Sequence, residues 1–273
     1  MKKYYLFIAL AMVAAVSVSC KSNKKAESNE ANEEVVEAAK TVLADDVLAK
    51  IDDFSQTFVG ENGKTRFSGI FSSALTEEEK LIKPDYLLNP SEVDNFVTKT
   101  QKVNALAILT ADRVLMKVYE MPIEEANEAI ARLGAEAGFP IPDHNLTVSE
   151  KIADEYEKCK ESGDLALFWQ FQFVKMTEFV YLISQNPDIF FRNISEDQLF
   201  SFNNQFLTTR EAVKTLAEYD SDIKLAWDTY YKYRSSFPDE DSRREAYFSI
   251  DSAKNIFSSN KESYAARRAD MLK

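Results

Sequence analysis

Three observations predict an all-α fold, an irregular antiparallel array of about seven to nine helices. From Glu33 onward, apolar residues recur at three- and four-residue steps over most of the chain. All six glycines and all seven prolines fall between these periodic segments or at their expected ends. Alternation with period two is nowhere long enough to argue a sheet, although Thr57 to Phe71 has room for a short hairpin.

Taken in order, Lys21 to about Asn32 contains no apolar residue except alanine, so it reads as a flexible tether that cannot pack. A stripe through Val35, Val36, Ala39, Val42, Leu43, Val47, Leu48, Ile51, Phe54 and Phe58 then predicts the first helix. Gly60, Gly63 and Gly69 mark a turn-rich stretch. A long helix is expected after Pro90, with Ser91 as its cap, running to about Glu120, and another from Pro122 to near Gly134. Helices follow over about Ser149 to Glu161 and over the apolar Leu165 to Gln185. Ser195 with Gln198 fits a capping box that opens a helix to about Tyr219. Two more are predicted over about Asp220 to Ser235 and Glu240 to Ala269. No matched repeat of about 30 to 45 residues supports a solenoid. Residues 33–273 therefore read as a single all-α domain, with Pro140 to His144 as the best hinge.

The charge balance narrows the function classes. The whole chain carries 33 basic and 45 acidic residues, for a formal −12. Such a surface repels phosphates, which argues against nucleic-acid partners and against adhesion to anionic lipid headgroups. Neither of the two cysteines, Cys20 and Cys159, has a clear role in a disulfide framework. A second membrane span is not expected, since Leu165 to Ile183 is interrupted by Gln170, Gln172, Lys175 and Glu178.

The N-terminus addresses location. Lys2 and Lys3 form a charged start, Leu6 to Val16 an apolar run too short to span a bilayer, and Ser17-Val18-Ser19 precedes Cys20. This arrangement resembles the lipobox of bacterial lipoproteins. Ser17 stands where that family prefers Leu, Val or Ile, a looser form resembling lipoproteins of Bacteroidota-type Gram-negative bacteria. The resemblance implies cleavage after residue 19, diacylglyceryl attachment at the Cys20 sulfur and usually an N-acyl chain as well. Acyl chains of this kind contribute about 0.8 kcal/mol per buried CH₂, so the membrane becomes a partner through Cys20. Cleavage would remove Lys2 and Lys3 and leave 31 basic against 45 acidic residues, or −14. The basic Lys21-Ser22-Asn23-Lys24-Lys25 is unlike the acidic cluster of surface-displayed relatives, so an outer-membrane anchor facing the periplasm is expected, with the cell surface as the alternative.

Motifs for chemistry are weak. Gly60-Glu-Asn-Gly63-Lys64-Thr65 has too few residues between its glycines for a phosphate-binding loop. His144 is the only histidine, so no two-histidine metal site can form, and no Gly-x-Ser-x-Gly elbow presents a nucleophile. No cofactor is implied. Cys159 lies at helical spacing from Ile152 and Tyr156 and reads as a small core residue. Adjacent acids such as Asp45/Asp46, Asp52/Asp53 and Glu77-Glu78-Glu79 read as solvated faces or first-turn partners of helix dipoles. Asp251-Ser252-Ala253 resembles the short O-glycosylation acceptor of exported Bacteroidota proteins, which would place a sugar on Ser252.

Charges inside apolar helices are more informative. Asp112 lies on a stripe with Ile108, Leu115, Met116 and Tyr119, and Lys175 and Glu178 interrupt a helix rich in Phe and Trp. Burial of such groups demands partners, either in internal salt bridges or around a pocket. On the helix expected after Asp220, Trp227, Tyr231 and Arg234 share one face at i, i+4, i+7 spacing. Those three form the candidate surface for a ligand or partner, such as a glycan or another envelope protein. The leading expectation is a non-enzymatic binding lipoprotein. Its rivals are a glycan or peptidoglycan hydrolase, which needs two acids converging in a cleft at about 5–9 Å, and a purely structural or assembly role.

Overall fold

The computed structural model describes residues 43, 45–59, 75–143, 145–233 and 249–273, all of which belong to one compact unit, Lys40–Lys273. Among the described residues every regular element is helical. The α-helices are α1 (Asp45–Val59), α2 (Glu77–Leu81), α3 (Lys99–Val118), α4 (Glu124–Ala137), α5 (Val148–Glu161), α6 (Leu165–Gln185), α7 (Pro187–Phe190), α8 (Glu196–Leu216), α9 (Ser221–Lys232), α10 (Ile250–Ser259) and α11 (Lys261–Met271), with a 3₁₀ turn at Pro90–Asn95. The all-α class is as predicted, and nine of these helices have seven or more residues.

Side chains that accept orphan N–H groups set most of the helix starts. Capping boxes occur at Thr76/Glu79, Thr98/Gln101, Thr147/Glu150 and the predicted Ser195/Gln198. The Thr98 box explains one departure from the expected boundaries. The single helix predicted from Ser91 to Glu120 is two elements, because Asn89 caps the 3₁₀ turn and Thr98 starts α3 afresh. Gly134 does not end α4 as expected. A Cβ at Gly134 would lie 2.5 Å from Ile141 Cδ1, so this glycine lets the following loop close onto the helix, and the stop comes at Gly138, with φ 70°. The last predicted helix divides at Asn260, with α10 and α11 on either side. The expected hairpin lies largely outside the described residues, as do the glycine-rich Gly60 to Thr65 segment and His144.

The centre of the array is α6, where all but Ala166, Lys175 and Gln185 of 21 residues are buried. Helices α3, α5, α8, α9, α10 and α11 pack against it. Its polar residues act as addresses. Gln170 Nε2 donates to Asn104 Oδ1 of α3 at 2.9 Å, and Asn104 Nδ2 in turn donates to the Met271 carbonyl of α11 at 2.8 Å. Gln172 Nε2 donates to Glu155 Oε2 of α5 at 2.7 Å. An unpaired buried amide is costly, so these bonds select a rotation and register that apolar packing alone would leave loose. Aromatic edges complete the joint with α1 and α5: the Phe168 ring meets Trp169 at 5.1 Å and Tyr156 at 5.2 Å, and Trp169 meets Phe58 at 5.6 Å. Cys159 is fully buried within this core, and burial pushes its thiol pKa up to about 12. No helix among the described residues is long and apolar enough to cross a membrane.

Candidate functional site

Two features meet at the end of the array where α3 and α6 stop and α11 begins. The first is a buried ionic cluster. Asp112 of α3 is fully buried and Glu178 of α6 nearly so, and one guanidinium of α11 serves both. Arg268 Nε donates to Glu178 Oε1 at 2.7 Å, while its terminal nitrogen lies 3.2 Å from Asp112 Oδ2. The same Asp112 oxygen accepts the Leu88 backbone N–H at 2.7 Å. Arg268 also lies over the Tyr181 ring, 4.9 Å from its centroid.

Two carboxylates and one cation would leave a net charge inside the core. Burial raises both acids' pKa values, Glu178 the more strongly because the Asp112 charge adds to it. Both shifts favour a neutral acid in the pair, and the stronger one makes Glu178 the better holder of a proton. A protonated acid there would bring the pair a donor, and Asp112 Oδ1 has no hydrogen-bond partner among the described residues. The cluster is then one ion pair plus a neutral acid. The two acids do converge from separate helices, but they are sealed from solvent and bonded to each other. A glycosidase pair needs room between its carboxyls for a sugar bond and a water, which this packing does not leave.

The third predicted interruption is separate. Lys175 is half-buried, with its ammonium 4.8 Å from the Phe171 ring centroid. Burial lowers its pKa, against the pull of Glu155 of α5. Glu155 is itself raised by burial.

The second feature is an open cleft of about 330 Å³. Its walls come from the end of α2, the Lys83–Tyr86 loop, Tyr119 after α3, the α6–α7 corner and Lys261 at the start of α11. Several of its charges are already engaged. Glu79 is gripped by both terminal nitrogens of Arg192, which holds its pKa down to about 2, and Lys83 Nζ donates to the Tyr119 carbonyl at the C-terminal end of α3. Tyr86 accepts a 3.0 Å bond from Asn186 Nδ2, and its ring meets Tyr181 edge-on at 6.1 Å. Through Tyr181 and the Leu88 N–H, the cleft wall is therefore tied to the buried cluster. Asp85 and Lys261 are both exposed, and neither enters an ion pair among the described residues.

The surface expected on α9 lies apart from this cleft's lining. Trp227 is half-buried and packs on the core, 5.8 Å from Tyr230 and 6.0 Å from Tyr231 ring to ring. Tyr231 is 54 % exposed. Arg234 and Cys20 lie outside the described residues. Ser252 sits half-buried in the first turn of α10, its N–H directed at Ser249 Oγ. Sequence reasoning missed Arg268, Asp85, Tyr86 and Lys261. Only Arg268 had a signal, because two acids in apolar stripes require a buried cation, and the Arg267-Arg268 pair is on the last helix.

Compared with protein-family models, with curated proteins and with solved structures, the chain has no match in any of the three.

Proposed function

We propose that this is a lipid-anchored cell-envelope protein that binds a small ligand or a partner without transforming it. The observation that carries the binding role is the cleft, about 330 Å³ with aromatic, apolar and uncommitted charged groups, a size and make-up that suits a small molecule. The anchor rests on the signal-like N-terminus ending at Cys20. On this reading the protein is held at the outer membrane facing the periplasm, with the cell surface as the alternative. The sealed carboxyl pair favours binding over hydrolysis, since a reacting sugar has no route to it.

Two measurements test the halves separately. Metabolic labelling with a fatty-acid analogue should mark the wild type and not Cys20→Ser, and label persisting in that variant overturns the anchor. Native mass spectrometry of protein purified from cells should show a bound small molecule that is lost in Ile82→Trp. Ile82 is 78 % exposed at the cleft rim, so its replacement narrows the opening without touching the core. Finding the same bound mass in both forms, or none in either, overturns the cleft as the site.

A further inference from the structure

We infer that the cleft takes a small zwitterion with an apolar body, an α-amino acid or dipeptide, whose ammonium meets Asp85 and whose carboxylate meets Lys261. This deepens the binding role proposed above and rests on it. Among the charged groups of the lining, Asp85 and Lys261 have neither an ion pair nor a side-chain hydrogen bond among the described residues, whereas Glu79 is held by Arg192 and Lys83 donates to the Tyr119 carbonyl. A ligand with a single charge would leave one of the two unanswered.

The helix ends around the cleft have the same polarity. Helices α3 and α6 both finish there, with Tyr119 and Gln185 in the lining; Lys83 already answers the α3 end, and the C-terminal carbonyls of α6 favour a further cation. Helix α11 starts there at Lys261 without a side-chain cap, because the Asn260 amide donates back to the Ile256 carbonyl at 2.9 Å. The lining also holds Ile82, Pro84 and Ile189, apolar groups that suit an aliphatic side chain. The Tyr86 hydroxyl, oriented by Asn186, adds a polar group at the wall.

Isothermal titration calorimetry on the full-length protein tests this with four probes: L-leucine, L-leucyl-L-leucine, N-acetyl-leucinamide and maltose. Leucine or the dipeptide should bind, and whichever is tighter tells whether the site holds one residue or two. N-acetyl-leucinamide, with the same side chain and no charge, should bind at least about tenfold more weakly. Asp85→Asn and Lys261→Gln should each weaken the zwitterion by about tenfold. Their melting temperatures should match the wild type, as both side chains are exposed. Equal affinity for the uncharged probe, no effect of either variant, or no binding of either zwitterion overturns the inference. The outcomes separate it from the broader role: maltose binding, or a non-zwitterionic mass retained by the wild type and lost in Ile82→Trp, would sink the zwitterion and leave the cleft a binding site.

Discussion

Arg268 Nε lies 2.7 Å from Glu178 Oε1, joining the last helix of the chain to its central one across 90 residues of sequence. The same guanidinium reaches Asp112 of α3. Three helices are thus locked by a single cation, and what happens when each partner is removed follows from the protonation just described.

Arg268→Met should destabilise the protein by about 3–5 kcal/mol, because it leaves two acids buried without their counter-ion. Glu178→Gln should change stability by less than about 1 kcal/mol near neutral pH. Its amide oxygen can accept from Arg268 Nε, and its NH₂ supplies the kind of donor that a neutral acid would supply beside Asp112. Urea unfolding of the two variants decides the matter. A large loss in Glu178→Gln would show that the group works as a charged carboxylate.

The pH dependence follows with a definite sign. A carboxyl whose folded pKa is raised binds its proton more tightly in the folded state. Glu178 therefore contributes fully below its ordinary pKa of 4.5, and the contribution is lost as pH rises through the higher folded value. Glu79 runs the other way. Arg192 holds it down to about 2, so its contribution is present above 4.5 and lost on acidification toward 2. As pH rises above 4.5, Glu178→Gln should flatten part of the decline in unfolding free energy seen in the wild type, the remainder belonging to Asp112, which burial raises to about 6. Identical slopes would remove Glu178 from the explanation.

Two left-handed helix ends make a matched pair of tests. Gly138 has φ 70° with nothing within 4 Å of where a Cβ would stand, so Gly138→Ala should cost about 1 kcal/mol from backbone strain alone. Glu120 ends α3 at φ 51° as a non-glycine residue. Its compensation is an exposed bond from Lys80 Nζ at 2.6 Å, a kind of pair that contributes little. Glu120→Gly should raise stability by up to about 1 kcal/mol, as thermal unfolding would show.

On α9, Trp227→Ala should cost about 1–2 kcal/mol, since the ring is half-buried on the core, whereas Tyr231→Ala should stay within about 1 kcal/mol. If the double variant stays folded yet fails to capture an envelope protein that the wild type binds, this face gains a partner role beside the cleft. Circular dichroism melts and a pull-down read the two effects independently.

The Cys159 thiol should not react with a disulfide reagent in the native protein, being fully buried with its pKa pushed up to about 12. Added to protein carrying Cys20→Ser, the reagent should label one thiol per chain only after urea unfolding. Native labelling would place Cys159 at a mobile surface.

The all-α class, the apolar α6 and the Ser195/Gln198 cap were legible in the sequence because helical periodicity and capping are local, set within about four residues. So was the need for partners around Asp112 and Glu178, since a charge in an apolar stripe is conspicuous wherever it lies. Which cation answers them was not legible: Arg268 stands 156 residues from Asp112, and no short-range pattern joins the two. The cleft was hidden for the same reason. Glu79, Asp85, Tyr119, Asn186 and Lys261 are unremarkable in their own segments and become neighbours only where helix ends converge. The sequence by itself determined the all-α class, most of the helices with their buried faces, and an N-terminus that reads as an export signal. The tertiary structure alone decided which charges neutralise one another and which stay uncommitted, because those energies depend on distance and burial.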